Sequence, residues 1–101
     1  MALPELLEQD RNWYILKGYK IEETPFYRVW YLNGKPHRED GPAFEHVNGA
    51  RREWYLNGKR HREDGPAIEH SNGDREWWIN DERMPEEEHQ KAVKEIMKNA
   101  A

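Results

Sequence analysis

The chain has 101 residues, no cysteine, a formal net charge of −4 and 36% hydrophobic residues. Leu, Ile, Val and Phe together number only 16, but five Trp, five Tyr, two Phe and nearly balanced charge exclude a disordered chain. There is no disulfide framework or thiolate chemistry, no apolar run of the roughly 18 residues a membrane span needs, and no basic block for phosphate-driven nucleic-acid binding.

The first residues, Met1-Ala-Leu-Pro-Glu-Leu-Leu-Glu, have neither a basic start nor a long apolar stretch, so a secretory signal is not expected and the location predicted is cytoplasmic. Pro4 to Gln9 reads as one short helical turn, with Leu3, Leu6 and Leu7 docking on the end of the fold. Trp13-Tyr14, upstream of Gly18, reads as a blurred copy of the pattern that follows. Residues 1–27 are therefore expected to form an N-terminal cap with a degenerate repeat, within a single domain 1–101.

The repeat itself is long. Trp30-Tyr-Leu-Asn-Gly-Lys-Pro-His-Arg-Glu-Asp-Gly-Pro-Ala-Phe-Glu-His-Val-Asn-Gly returns 24 residues later from Trp54, with three of twenty positions changed. A third copy starts at Trp77-Trp-Ile-Asn, at an offset of 23, and decays into Asp81-Glu-Arg-Met-Pro. Periods of 20–50 residues mark arrays of stacked units, whose end copies are commonly atypical.

Each unit predicts a β-hairpin. The turns are placed at Asn48-Gly49 and Asn72-Gly73, because Asn-Gly accepts the positive φ of tight hairpin turns. Phe44 would then face Trp54, Ile68 would face Trp77, and His46 and His70 would face Arg52 and Arg75. That register also opposes Glu45 to Glu53 and Glu69 to Glu76. The stretch Asn-Gly-Lys-x-His-Arg-Glu-Asp-Gly-Pro-Ala is read as a longer loop between hairpins, with Gly supplying a permissive φ and Pro fixing entry to the next strand. The first Trp of each pair, with Leu32, Leu56 and Ile79, should form a core beneath a helix, and Tyr31, Tyr55 and Trp78 should line the opposite face.

The chain closes with a helix over 85–100. Pro85 stands in its first turn, Glu86 to Glu88 lie at its positive end and lysines follow. His89, Val93, Ile96, Met97 and Ala100 form one stripe. The predicted fold is mainly β: an elongated antiparallel meander of about six strands, with hairpin repeats over 28–82, capped by this helix.

At Asn57-Gly-Lys-Arg-His, preceded by Trp54 and followed by Gly65, the chain resembles the MORN repeat and related hairpin repeats of bacterial and phage proteins, antitoxin components among them. The resemblance covers roughly residues 28–82; Arg38-Glu-Asp and Arg62-Glu-Asp stand where the MORN pattern has Gly directly after His. It implies a scaffold for protein contacts or oligomerisation.

The sharpest chemical candidates are His37, Arg38, Glu39 and Asp40 with their copies His61, Arg62, Glu63 and Asp64. In a repeat these residues brace the loop they occupy, Arg to Asp by a charge-assisted hydrogen bond, or offer a binding surface. Together with Tyr31, Tyr55 and Trp78, they are the candidate partner-binding residues, because Tyr and Trp anchor interfaces. The expected function is non-catalytic protein binding without a cofactor, of the inhibitor type that occludes a larger enzyme. An open edge strand makes a homodimer the second expected state. Two alternatives stay open: a metal-assisted hydrolase or nuclease using His37, Asp40, His61 and Asp64, and single-strand nucleic-acid binding on the aromatic face.

Overall fold

The computed structural model describes residues 6–46 and 49–100. The chain begins with α1 (Glu8–Leu16), β1 (Tyr19–Glu23), β2 (Tyr27–Leu32), β3 (Lys35–Pro36) and β4 (Phe44–His46). The middle holds β5 (Arg51–Glu53), β6 (Tyr55–Leu56) and β7 (Lys59–Arg60). It ends with β8 (Ile68–His70), β9 (Arg75–Ile79), β10 (Glu82–Met84) and α2 (Glu86–Ala100). An eight-stranded antiparallel sheet runs as a meander β1-β2-β4-β5-β8-β9-β10, with β3 paired to β2, while β6 and β7 form a small second sheet. The fold is thus mainly β with a helix at each end, and its extents of 38 × 33 × 20 Å make it a slab.

The tight turns lie where the long loops were expected. Asn33-Gly34 and Asn57-Gly58 have φ of 54° and 77°, and of 51° and 79°, the two-residue hairpin geometry that Asn-Gly favours. They join β2 to β3 and β6 to β7. The third copy keeps the turn at Asn80-Asp81, with φ of 46° and 70°, between β9 and β10. The expected hairpins β4–β5 and β8–β9 also form, but Ser71 to Gly73 make a three-residue connection, closed by Gly73 N–H donating to the His70 carbonyl and His70 N–H donating to Asp74. Asn48 of the other expected turn lies outside the described residues.

The register is one residue away from the expected one. Phe44 faces Glu53 and Glu45 faces Arg52; Ile68 faces Glu76 and Glu69 faces Arg75. His46 lies opposite Tyr27, and His70 opposite Arg51. The physical reason is charge. Glu23, Arg28, Glu45, Arg52, Glu69 and Arg75 are successive register partners across six strands, and their signs alternate throughout. Arg52 reaches Glu69 at 2.8 Å, and Arg28 reaches Glu23 at 3.1 Å and Glu45 at 3.8 Å. Directly opposed charges of opposite sign contribute roughly 0.2–1 kcal/mol per pair, and like charges destabilise. The expected register would have set carboxylates against carboxylates.

At the N-terminal end, Trp13 and Tyr14 lie on α1 rather than in a degenerate hairpin, and the helix spans Glu8–Leu16, while Pro4 of the expected helical turn lies outside the described residues. Glu8 and Asp10 occupy its positive end, and Gly18 at φ 94° ends it. Of the leucines expected to dock, Leu7 is exposed and Leu3 lies outside the described residues; Tyr14 is the buried residue of this helix. On α2, His89 is buried and Val93 and Ile96 are half-buried, but Met97 and Ala100 are exposed, so only the first part of the stripe covers the sheet. No helix among the described residues is long and apolar enough to cross a membrane.

Candidate functional site

The repeated loops 37–42 and 61–66 are built alike, and each is tied to the repeat that follows it. The Asn57 backbone N–H donates to His37 Nδ1 at 2.8 Å, and the Asn80 N–H donates to His61 Nδ1 at 3.1 Å. Those amides belong to tight turns, where the strand ladder offers no acceptor; a buried imidazole supplies one. Main-chain bonds reinforce the junction: Arg38 N–H donates to the Tyr55 carbonyl and Arg62 N–H to the Trp78 carbonyl. On its other nitrogen, His61 Nε2 meets Glu63 at 2.8 Å, while His37 Nε2 lies 3.7 Å from Glu39.

The arginine of each loop turns back onto its own tryptophan. Arg38 lies 4.0 Å from the centroid of the Trp30 ring and Arg62 lies 3.9 Å from that of Trp54, within the range of a cation–π contact. Arg62 donates to Asp64 at 2.9 Å, to the Pro66 carbonyl at 3.0 Å and to Glu69 at 3.1 Å. Arg38 donates to Asp40 at 3.1 Å and to the Pro42 carbonyl at 3.2 Å, and has Glu45 at 3.9 Å. Burial pushes the Glu45 carboxyl up, against the pull of Arg38, Arg28 and Arg52. Gly41 and Gly65 are needed for close approach rather than for an unusual φ. A Cβ would stand 3.0 Å from the Arg38 guanidinium carbon at Gly41, and 2.8 Å from that of Arg62 at Gly65.

Three tryptophans therefore form three rungs on one face, each covered differently. Trp30 is 1% exposed: besides Arg38 it has the Tyr14 ring of α1 edge-on at 6.3 Å, and the Tyr14 hydroxyl donates to Asp40 at 2.8 Å. Burial first, and the bond to Asp40 second, push the Tyr14 phenol up. At the far end Trp77 has no loop arginine; His89 of α2 packs on it at 5.1 Å, with its Nε2 2.6 Å from the Arg62 carbonyl. Trp54, the middle rung, has no helix over it and is half-buried. The expectation that the tryptophans form a core beneath a helix holds for Trp30; Trp77 lies beneath α2 but, like Trp54, is half-buried.

Over the middle rung lies a groove of about 530 Å³ between the two loops. Trp54 and Leu56 form its floor, and Glu39, Asp40, Glu63 and Asp64 stand on its rim. The side chains of Glu39 and Asp64 are 81% and 86% exposed. Seven of the eight loop candidates read from the sequence line this one groove, His37 lying behind it, and they take two roles. His37, Arg38, His61 and Arg62 are tied to the frame, and the carboxylates face outward. Among the described residues no three His, Asp or Glu side chains converge to hold a metal ion.

Tyr31, Tyr55 and Trp78 lie on the opposite face, each half-buried. The Tyr55 hydroxyl donates to Glu53 at 2.7 Å, and Trp78 Nε1 donates to Glu76 at 3.2 Å. Arg60 lies 5.8 Å from the Tyr55 ring and 5.0 Å from that of Trp78. Burial, and then the bond to Glu53, push the Tyr55 phenol up to about 12. Burial would raise Glu76, but hydrogen bonds from His70 and Trp78 and the charge of Arg83 outweigh it and hold the carboxyl below its ordinary value. Tyr31 lines a separate recess with Gly18, Lys20 and Asn33.

No family model, no curated protein and no solved structure matches this chain.

Sequence reasoning placed Trp54 and Leu56 in the core and so missed the groove floor. It also missed Tyr14 as the cover of Trp30, whereas the stripe that includes His89 was expected to cover the last hairpin, and His89 packs on Trp77. The spacing of 3 and 4 that includes His89 was one legible signal. For Tyr14, Gly18 after an apolar cluster was another, as a helix end rather than a hairpin turn.

Proposed function

We propose that the chain is a non-catalytic protein-binding module, a MORN-like hairpin array that seats part of a larger partner in the groove between loops 37–42 and 61–66. One observation carries this reading: in both copies the His and Arg side chains are consumed by bracing, while Glu39 and Asp64 stand largely exposed on the rim of a groove floored by Trp54 and Leu56. A mixed apolar and polar concavity is what recognition sites use. A cytoplasmic inhibitor that occludes an enzyme fits such a surface.

The test is affinity capture from the native host with the wild-type chain and with a Glu39→Arg, Asp64→Arg variant. The expected result is a specific protein retained by wild type and lost from the variant, whose circular dichroism and melting temperature stay unchanged. Equal capture by both, or loss only on replacing Tyr55 or Trp78, would overturn the groove as the site.

A further inference from the structure

The rungs are related by the repeat, so the two that lie beneath helices show what fits the one that does not, although Trp77, like Trp54, is half-buried. Trp30 and Asp40 correspond to Trp54 and Asp64 at an offset of 24. In the first copy the space over the tryptophan and beside the aspartate holds Tyr14, a helix-borne ring whose hydroxyl donates to Asp40 at 2.8 Å. Over Trp77 the space holds His89, again a helix-borne aromatic ring with a polar nitrogen, 2.6 Å from the Arg62 carbonyl. Between them the space over Trp54 is the groove of about 530 Å³, and Asp64 stands at its edge 86% exposed, without a phenol.

We infer that the groove takes a helix of the partner protein, presenting a tyrosine that packs over Trp54 and donates its hydroxyl to Asp64. This rests on the protein-binding reading and specifies the partner. The helix would complete a row in which every rung is covered from a helix. Charge complementarity adds a second requirement. The rim carries Glu39, Asp40, Glu63 and Asp64, while the lining cations Arg38 and Arg62 already meet carboxylates at 3.1 Å and 2.9 Å. Basic residues beside the tyrosine meet that rim favourably, as Arg11 of α1, one turn from Tyr14, meets Glu23 of β1. A ring with a hydroxyl is selected over a bare ring because a hydrogen bond to a carboxylate is stronger than one between neutral groups.

The test uses the full chain, amide and indole NMR signals, and three small probes. These are 4-methylphenol for the tyrosine side chain, toluene for the ring without a hydroxyl, and methylguanidinium for charge alone. The expected result is a saturable shift of the Trp54 indole N–H and the Asp64 and Gly65 amides by 4-methylphenol. Toluene should bind roughly tenfold more weakly, and Asp64→Ala should weaken 4-methylphenol by a similar factor. Glu95→Gln, exposed on α2 and away from the groove, should leave 4-methylphenol binding unchanged. Absence of a saturable shift in the groove, equal binding of toluene, or indifference to Asp64→Ala overturns the tyrosine. If methylguanidinium alone binds there, the protein-binding reading stands with a basic partner and the tyrosine-bearing helix is wrong. If the groove binds no probe but the host protein is still captured through Glu39 and Asp64, the groove reading again survives without it.

Discussion

Loops 37–42 and 61–66 share His-Arg-Glu-Asp-Gly-Pro and both border the groove, yet the tryptophan under the first is covered by a helix and the one under the second is not. In the first, Tyr14 closes over Trp30 and binds Asp40. In the second, Trp54 is half-buried and Asp64 faces solvent. Identical residues make the same local bonds, Arg to Asp, to a Pro carbonyl and onto Trp. What differs is the neighbour above. One loop sequence repeated for folding can therefore stand under different covers in its two copies.

The comparison is sharpest at the tryptophans. Trp30→Ala should cost about 3–5 kcal/mol, the range for a large buried ring, and Trp54→Ala about 2 kcal/mol, because part of that ring is already in water. Urea denaturation of both variants measures this; equal losses would mean that the middle rung is as closed as the first.

A smaller effect is expected at the glycines. Gly65→Ala pushes a Cβ to 2.8 Å from a guanidinium held by three acceptors, and Gly41→Ala to 3.0 Å. Overpacking costs about 1–3 kcal/mol, so both should destabilise, Gly65→Ala more. If either is neutral, the arginine brace of that loop is not as tight as its geometry.

Alkaline titration separates the phenols. Tyr14 and Tyr55 both hold their protons above the ordinary value of 10.0, Tyr55 up to about 12. Because the folded value exceeds the unfolded one, their stabilisation is fully present below pH 10 and is lost as pH rises through the folded value. Tyr55→Phe should flatten the fall in melting temperature between pH 10 and about 12. Tyr14→Phe should do so too, and should also cost about 1 kcal/mol at neutral pH by removing the bond to Asp40. A profile unchanged in both variants would mean that neither phenol titrates as its contacts require.

The smallest effect belongs to the exposed carboxylates of the two loops. Glu39→Gln and Asp64→Asn should shift stability by less than about 0.5 kcal/mol, the usual size for exposed positions. A larger loss for Asp64→Asn would show that its contact with Arg62 matters to the frame.

Much was legible in the sequence because much is local or repeated. Asn-Gly pairs mark turns, Pro85 and the glutamates after it mark the start of α2, and a 24-residue copy implies stacked hairpins with degenerate ends. All eight loop candidates were also found this way, since a duplicated motif must recur at equivalent places. Reading Trp13-Tyr14 as a strand failed because two aromatics carry no period of their own, whereas the full turn of residues around them does. The hairpin register failed because one residue of slip exchanges the faces, and only the charge ladder from Glu23 to Arg75, built from residues 52 positions apart, selects between the choices.

The amino-acid sequence by itself therefore determined the repeat, the β class, the closing helix and the residues of the loops, all of which follow from neighbours along the chain. The tertiary structure alone decided which copy lies under α1, which rung receives His89, and which is left open. Those outcomes depend on where two short helices land on a sheet of near-identical units, and near-identical units carry no mark of which one will be covered.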